Sequence, residues 1–152
     1  MKKRKKICLI SSSGGHYEQL KMLDKLKEQY DIFYVTEKTK YSSKNDIFYI
    51  KQVNRKERMV IFKLVWILFQ SLYIFLKEKP DVIISTGALS VIPMFFWGKL
   101  FRKKTIFIES FAKITSGTKT GKLLYKFSDI FIVQWKELLK IYPRAKYLGS
   151  IY

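Results

Sequence analysis

The sequence predicts an α/β fold, in which helices cover both faces of one parallel β-sheet. Two observations support this prediction. Short runs rich in Ile, Val, Phe and Tyr alternate with longer stretches of helical periodicity along the whole chain, a pattern typical of parallel strands joined by crossover helices. The length of 152 residues is sufficient for one domain with a substantial core. We therefore expect a single domain over residues 1–152.

The predicted strands are short apolar runs bounded by polar residues, glycine or proline. In chain order they are residues 6–11, 31–36, 47–51, 81–86, 104–109, 129–134 and 145–149. The polar stretch 37–46 separates the second strand from the third and is predicted to be a loop. This arrangement predicts a Rossmann-like sheet.

The predicted helices fill the stretches between the strands and are residues 16–29, 55–79, 89–101, 118–128 and 135–142. Leu20, Leu23 and Leu26 recur at helical spacing in the first helix. The second ends before Pro80, because proline cannot continue a helix. The third is strongly apolar and is expected to form despite Pro93.

The second helix is unusual because its segment 59–76, MVIFKLVWILFQSLYIFL, is apolar almost all the way round. A helix packed on a sheet needs only one apolar stripe. Two interpretations are open: a deeply buried core helix, or a helix that packs one face on the sheet and dips the other into lipid. We predict peripheral attachment, because aromatic residues bordered by cations suit the edge of an anionic membrane. The predicted contacts are Trp66, Phe69, Phe95, Phe96, Trp97, Arg102 and Lys103.

The charge of the chain predicts an anionic partner. The chain has 30 Lys and Arg residues and only 12 Asp and Glu residues, which gives a formal net charge of +18. Nucleic acid, an anionic membrane and a pyrophosphate substrate all fit such an excess. The aromatic residues lie in apolar helices and strands rather than on a basic stacking surface, which disfavours nucleic acid.

The amino-terminal residues MKKRKK precede only four apolar residues, ICLI. A secretory signal needs an apolar region of about 7–15 residues, so we expect a cytoplasmic chain. The one cysteine, Cys8, fits a reducing compartment and is predicted to be buried in the first strand. One His and one Cys cannot form a metal-ligand cluster, so neither metal nor cofactor is expected.

Three polar loops follow predicted strands, at the edge where parallel sheets bind ligands. They are SSSGGH at 11–16, STGALS at 85–90, and the segment that begins with Glu109. Glycines allow close backbone approach, and the helix starts offer free N–H groups to an anion. The first loop matches neither the Walker motif nor the dinucleotide fingerprint. Glu109 is costly to bury unpaired, so it either pairs with a lysine, accepts hydrogen bonds from ligand hydroxyls, or acts as a base.

Four segments resemble a known family: SSSGGHYEQL, PDVIISTGALSVIP, IESFAKITSGTKTGKLLYKFSDIFIVQW and YPRAKYLG. They are similar to the PssD-like, asparagine-linked-glycosylation (fourteen) family of glycosyltransferase subunits in polysaccharide biosynthesis. A more distant similarity is to the amino-terminal half of MurG. The resemblance implies a fold equivalent to the amino-terminal domain of a GT-B glycosyltransferase, the domain that takes the acceptor.

The resemblance also implies a function. The chain would be the acceptor-binding, membrane-recruiting subunit of a two-component, inverting glycosyltransferase in capsular or exopolysaccharide synthesis, located peripherally on the cytoplasmic face of the cell membrane. A separate partner subunit would bind the UDP-sugar, because the sequence ends at Tyr152, where a donor domain would begin. The acceptor would be a polyprenyl-pyrophosphate-linked saccharide, and the chain alone is expected to be inactive.

The family pattern implies a site at the strand-end loops. The residues that would bind the acceptor or its pyrophosphate are Ser13, Gly14, Gly15, Thr86, Gly87 and Ser110. An inverting transfer needs a base for the acceptor hydroxyl, and His16 and Glu109 are both candidates. Two alternative functions stay open: a non-catalytic activator or scaffold of the partner, and a basic nucleic-acid-binding domain.

Overall fold

A computed structural model describes residues 4–40, 42 and 47–152. Within these residues, parallel strands form one sheet in the order β3-β2-β1-β4-β5-β6-β7. The strands are β1 (Lys6–Ser11), β2 (Asp31–Glu37), β3 (Ile47–Ile50), β4 (Val82–Gly87), β5 (Lys104–Ile108), β6 (Ile130–Val133) and β7 (Lys146–Tyr147). The predicted parallel α/β fold is confirmed. Part of the predicted loop 37–46 and the first three residues of the basic amino-terminal run lie outside the described residues.

The strand order reverses between β1 and β4, which are neighbours in the sheet although β2 and β3 separate them in the sequence. Ser11 at the end of β1 lies opposite Gly87 at the end of β4. Open α/β sheets bind ligands at the carboxyl edge, near such a reversal of strand order.

Helices cover both faces of the sheet. On one face, α1 (Gly15–Lys21) buries Leu20 against Leu9 and Ile84. On the other face lie α2 (Val60–Glu78), α3 (Ile92–Leu100) and α4 (Lys119–Leu124). The larger core cluster is on this second face and includes Cys8. Cys8 is buried as predicted, and burial raises the pKa of its thiol.

The predicted helix 16–29 is wrong in its second half, because α1 ends at Lys21 and a 3₁₀ helix follows at Asp24–Glu28. Leu20, Leu23 and Leu26 are spaced three residues apart. A 3₁₀ helix has three residues per turn, whereas an α-helix would rotate such a series progressively away from the core. The 3₁₀ segment therefore keeps Leu26 on the cluster that Leu20 and Leu23 contact.

Other helix ends also differ from the prediction. Pro93 does not interrupt a helix but lies in the first turn of α3, where its missing N–H leaves no hydrogen bond unmade. The 3₁₀ helix Leu89–Val91 precedes it. The remaining differences are that α2 starts at Val60, α4 stops at Leu124, and Lys136–Lys140 is a 3₁₀ helix.

Helix α2 is not a deeply buried core helix. Its buried residues form a single stripe: Ile67, Ser71, Ile74 and Phe75. The opposite face is exposed, with Trp66 at 59% and Phe69 at 64%. Among the described helices, α2 is the one long and apolar enough to cross a membrane, a property that core helices of soluble proteins share. Of the two interpretations, the one-faced helix fits the structure.

Two predicted membrane contacts need correction. Phe95 is only 1% exposed and packs edge-on against Phe107 of β5, because its side of α3 faces the sheet. Trp97 is half-buried, and its Nε1 donates to the Leu68 carbonyl of α2 at 2.9 Å. Phe96 points outward and is 53% exposed. Thus α3 presents Phe96 to the surface and uses its two aromatic neighbours for packing.

Candidate functional site

The loops after β1 and β4 are joined by backbone and side-chain hydrogen bonds. The Ser12 N–H donates to the Gly87 carbonyl at 2.8 Å, and the Thr86 hydroxyl donates to the His16 carbonyl at 2.7 Å. Gly14 has a φ of +78°, a conformation that glycine adopts readily and other residues avoid. This turn lets α1 start immediately at Gly15. The two loops therefore form one unit that fixes the position of His16.

The imidazole of His16 lies directly on the backbone of Gly87. A Cβ at Gly87 would lie 3.0 Å from Cε1 of His16 and 3.2 Å from Nδ1. Any larger residue would push the ring away. The Nδ1 atom is buried and has no hydrogen-bond partner in the described part of the chain. Buried polar atoms are almost always paired, so the ring lacks one of the hydrogen bonds that it could make.

Glu109 follows β5 and is completely buried. Its carboxylate accepts four hydrogen bonds: from the Ser110 N–H at 2.8 Å, the Thr118 N–H at 3.1 Å, the Thr118 hydroxyl at 2.9 Å and the Tyr142 hydroxyl at 2.8 Å. Burial of Tyr142, together with the adjacent carboxylate, raises the pKa of that phenol. Glu109 therefore fastens the loop 110–118 to the domain and is not positioned to contact an acceptor hydroxyl, contrary to the prediction.

Two glycines show how closely this loop packs around the carboxylate. A Cβ at Gly121 would overlap Glu109, and a Cβ at Gly117 would overlap the Tyr142 hydroxyl. Thr118 caps α4 by accepting a hydrogen bond from the Gly121 N–H at 2.8 Å. The interaction with Glu109 thus fixes both the loop and the start of α4.

A cleft of about 540 Å³ opens between these parts of the molecule. His16, Thr86 and Gly87 line one side, and the loop and helix 113–122 line the other. Four cations reach the cleft: Arg55, Lys113, Lys119 and Lys122. The described lining contains no carboxylate. Such a site suits a multiply charged phosphate group, because Arg and Lys bind phosphate through charge-assisted hydrogen bonds.

Arg55 comes from a distant part of the chain, the turn before α2. Its guanidinium donates to the Thr120 hydroxyl at 2.5 Å, which holds it over α4. None of the four cations, Arg55, Lys113, Lys119 and Lys122, is predicted from the sequence as a site residue. With 30 basic residues in the chain, no local pattern distinguishes these four. The segment containing three of them did carry the family resemblance.

The predicted phosphate-binding residues divide into two groups. Thr86 and Gly87 line the cleft beside His16. Ser13, Gly14, Gly15 and Ser110 are not part of its lining. Ser110 is buried against Glu109, and Ser13 turns toward β2, where its hydroxyl donates to Glu37 at 3.3 Å. The reason is the turn at Gly14, which directs the small-residue loop toward β2 and His16 toward β4.

Glu37 is a further residue at this edge of the sheet that is not predicted from the sequence. This residue ends β2 and is only 5% exposed. Its carboxylate accepts long hydrogen bonds from Ser13 at 3.3 Å and from the Val53 N–H at 3.5 Å. A charged residue at the end of the apolar run DIFYVTE was the available signal, and it is the same signal that singled out Glu109.

Comparison with known proteins gives one family. The family model described as "Oligosaccharide biosynthesis protein Alg14 like" matches residues 7–151. The chain is similar to the human protein named UDP-N-acetylglucosamine transferase subunit ALG14, with 28% identity over 95% of this chain and 82% of the relative. The protein of the same name from Kluyveromyces lactis is 35% identical over 50% of this chain and 35% of the relative.

Solved structures show the same fold at low sequence identity. MurG from Acinetobacter baumannii has a TM-score of 0.77 and 14% identity, over 96% of this chain and 45% of that chain. UDP-N-acetylglucosamine 2-epimerase from Rickettsia bellii has a TM-score of 0.75 and 12% identity, over 98% and 46%. The chain spans less than half the length of these enzymes. The likeness confirms the predicted Rossmann-like, GT-B-type domain.

Proposed function

The chain belongs to the Alg14 family, and on that premise we propose that it is the acceptor-binding, membrane-recruiting subunit of a two-component glycosyltransferase. The relatives' names support the coarse assignment, because they describe a subunit of a sugar transferase. A separate partner subunit then binds the UDP-sugar. Those names also make UDP-N-acetylglucosamine the first donor to test. We further propose that the product is a lipid-linked intermediate of capsular or exopolysaccharide synthesis.

The observation that carries this proposal is the cationic cleft at the point where the strand order reverses. Four cations and no described carboxylate line it, so a polyprenyl pyrophosphate is a better fit than a neutral saccharide. Arg55 provides a planar group that can bind two phosphate oxygens at once, while the lysines act as mobile point charges. The saccharide attached to the pyrophosphate then lies next to His16.

His16 is the base that we assign for the transfer. The acceptor hydroxyl oxygen bonds to the anomeric carbon of the donor, the bond from that carbon to the UDP oxygen breaks, and UDP leaves with the electron pair. The hydroxyl proton passes to the imidazole of His16, since histidine is the side chain that most often serves as a general base. The other ionisable groups in the described lining are cations, and Glu109 is enclosed by its own donors. Glu109 is therefore a positioning residue for the cleft.

The exposed face of α2 and α3 is proposed to attach the chain peripherally to the cytoplasmic face of the membrane. Trp66, Phe69 and Phe96 are each more than half exposed. The other side of α2 packs on the core through Ile67, Ile74 and Phe75. Because the stripe from Ile67 to Phe75 packs on the core, lipid cannot surround α2, and we place the helix at the membrane interface.

Acceptor binding by the purified chain tests this assignment. Titration with a short-chain polyprenyl-pyrophosphate saccharide is expected to show binding that Lys119→Gln with Lys122→Gln weakens by about 10–100-fold, since each lost charged hydrogen bond is worth about 1.5–3 kcal/mol and the lysines are partly solvated. The matched control is Lys136→Gln with Lys140→Gln, two exposed lysines outside the cleft lining. Equal affinity for the pyrophosphate and the uncharged saccharide would contradict the proposal.

A further inference from the structure

A second charged cavity lies at the amino edge of the sheet, opposite the cleft. Its volume is about 1060 Å³, and eight of its twelve lining residues are Lys or Arg. The starts of β1 and β5 and the ends of α2 and α3 form its walls. We call this cavity the amino-edge basin. Arg102 and Lys103, both predicted from the sequence as membrane contacts, belong to it.

The four carboxylates of the basin are all paired. Glu78 and Asp31 pair with Lys6, Asp129 pairs with Lys99, and Asp81 pairs with Lys103, at N–O distances of 2.5, 3.9, 2.8 and 3.6 Å. Five cations of the basin have no ion pair in the described part of the chain: Arg4, Lys5, Lys79, Arg102 and Lys104. The basin therefore carries a local positive excess that can accept an external anion.

Lys79 and Arg102 adopt the left-handed backbone conformation, which is unfavourable for residues other than glycine. Their φ values are +49° and +54°, and they are the non-glycine residues with positive φ among those described. Lys79 caps the end of α2, and Arg102 follows the cap of α3. Glycine or asparagine usually occupies such positions, because a Cβ makes the left-handed conformation unfavourable. Strained residues often mark functional sites, and these two line the same cavity.

The basin borders the exposed apolar face. Phe75 near the end of α2 and Phe101 at the end of α3 stack at 5.0 Å, so the two helix ends meet there. Leu76 and Leu100 are exposed at 51% and 59% beside this stack. An apolar surface that ends in clustered cations matches the boundary between the acyl chains and the phosphates of an anionic membrane.

We propose that the amino-edge basin binds the phosphate groups of anionic phospholipid headgroups, with Lys79 and Arg102 as its principal ligands. This inference rests on the proposed membrane attachment through α2 and α3. The proposed contact also defines how the domain is oriented on the membrane. The basin lies at the end of α2, so headgroup contact there, together with membrane contact of the exposed Trp66 and Phe69, lays α2 flat along the membrane surface. Both edges of the sheet then lie at headgroup level, within reach of a lipid-linked acceptor.

The test uses the full chain with the pair Lys79→Gly and Arg102→Gly. Glycine relieves the backbone strain, so the melting temperature is expected to stay unchanged or to rise. Binding to vesicles containing phosphatidylglycerol is expected to weaken about 25-fold, at about fivefold per cation near the surface, while binding to pure phosphatidylcholine vesicles stays the same. The double variant Lys79→Asn with Arg102→Asn should lose the same binding as the glycine variant. The charge-conserving double variant Lys79→Arg with Arg102→Lys should retain binding.

A charge-matched control separates a specific site from bulk charge. Lys25→Gln with Lys140→Gln removes the same charge from exposed positions outside the basin and is expected to change vesicle binding by less than about threefold, because remote surface charges are screened. Equal losses in the control and the basin variant would overturn the inference, as would unchanged binding of the basin variant. Competition by soluble glycerophosphate at concentrations matching the lipid phosphate would show a free-phosphate site and would also overturn it.

The same assay tests the proposed attachment separately. Trp66→Ala with Phe69→Ala is expected to weaken binding to both kinds of vesicle. If that variant loses binding and the basin variants do not, the attachment proposal stands and the basin inference fails. If the aromatic variant binds normally, the attachment through α2 fails.

Discussion

At the scale of single residues, Glu109 and His16 both follow the end of a strand, but their side chains have different hydrogen-bonding environments. The carboxylate of Glu109 has four hydrogen-bond donors and no exposed surface, while Nδ1 of His16 has no described partner. The sequence selects both residues but does not rank them. Two of the donors to Glu109 belong to Thr118 and one to Tyr142, which are 9 and 33 residues further along the chain, so only the tertiary structure shows that the carboxylate is already satisfied.

His16→Gln in the assembled transferase is expected to lower kcat by about 10²–10⁴-fold, the usual contribution of a general base. The melting temperature should be unchanged, because the imidazole makes no side-chain hydrogen bond in the described structure. Steady-state kinetics and thermal denaturation of the same preparation measure both effects. A variant with the full transfer rate would show that His16 is not the base.

Glu109→Gln is expected to lower the free energy of unfolding by about 1–3 kcal/mol, because an amide cannot accept from four donors at once. Tyr142→Phe, which removes one donor, should cost about 1 kcal/mol. Urea denaturation measures both changes, and acceptor affinity should fall with Glu109→Gln because the loop carrying Lys113 loosens. Normal stability and a loss confined to kcat would indicate a catalytic carboxylate instead.

At the scale of secondary-structure elements, α2 and α3 supply the exposed apolar surface that we propose contacts the membrane. Their apolar composition is evident from the sequence, but their orientation is not. Burial depends on which side chains face the sheet. In α3, two adjacent phenylalanines differ in burial: Phe95 is 1% exposed and Phe96 is 53% exposed. An uninterrupted apolar run gives no period from which to choose between them.

These adjacent phenylalanines provide a matched pair of variants. Phe96→Ala is expected to weaken vesicle binding about tenfold, since burying an aromatic ring in the interface contributes about 1.5–3 kcal/mol and the ring is already half covered. It should lower the free energy of unfolding by no more than about 1.5 kcal/mol, because the ring makes one edge-on contact with Trp97. Phe95→Ala should lower the free energy of unfolding by about 3–5 kcal/mol without changing vesicle binding of the folded protein. Vesicle sedimentation and urea denaturation distinguish the two, and the reverse pattern would contradict the orientation of α3.

At the scale of the whole molecule, the alternation of apolar runs was enough to predict the parallel sheet and the polar loops that follow β1, β4 and β5. The composition of the cleft could not be predicted in the same way. Arg55 meets Thr120 across 65 residues of sequence, and the chain has 30 cations to choose from. Proximity between residues so distant in the chain arises from the sheet order, which brings the ends of β1 and β4 together and places α4 beside them.

The most direct test of the central claim is reconstitution of sugar transfer. The purified chain, the purified partner subunit from the same organism, and a mixture of the two are each incubated with UDP-N-acetylglucosamine and other UDP-sugars and a polyprenyl-pyrophosphate saccharide. We expect no transfer by either protein alone and transfer to the lipid-linked saccharide by the mixture. Transfer by the chain alone, or a partner whose rate is unaffected by adding the chain, would contradict the account.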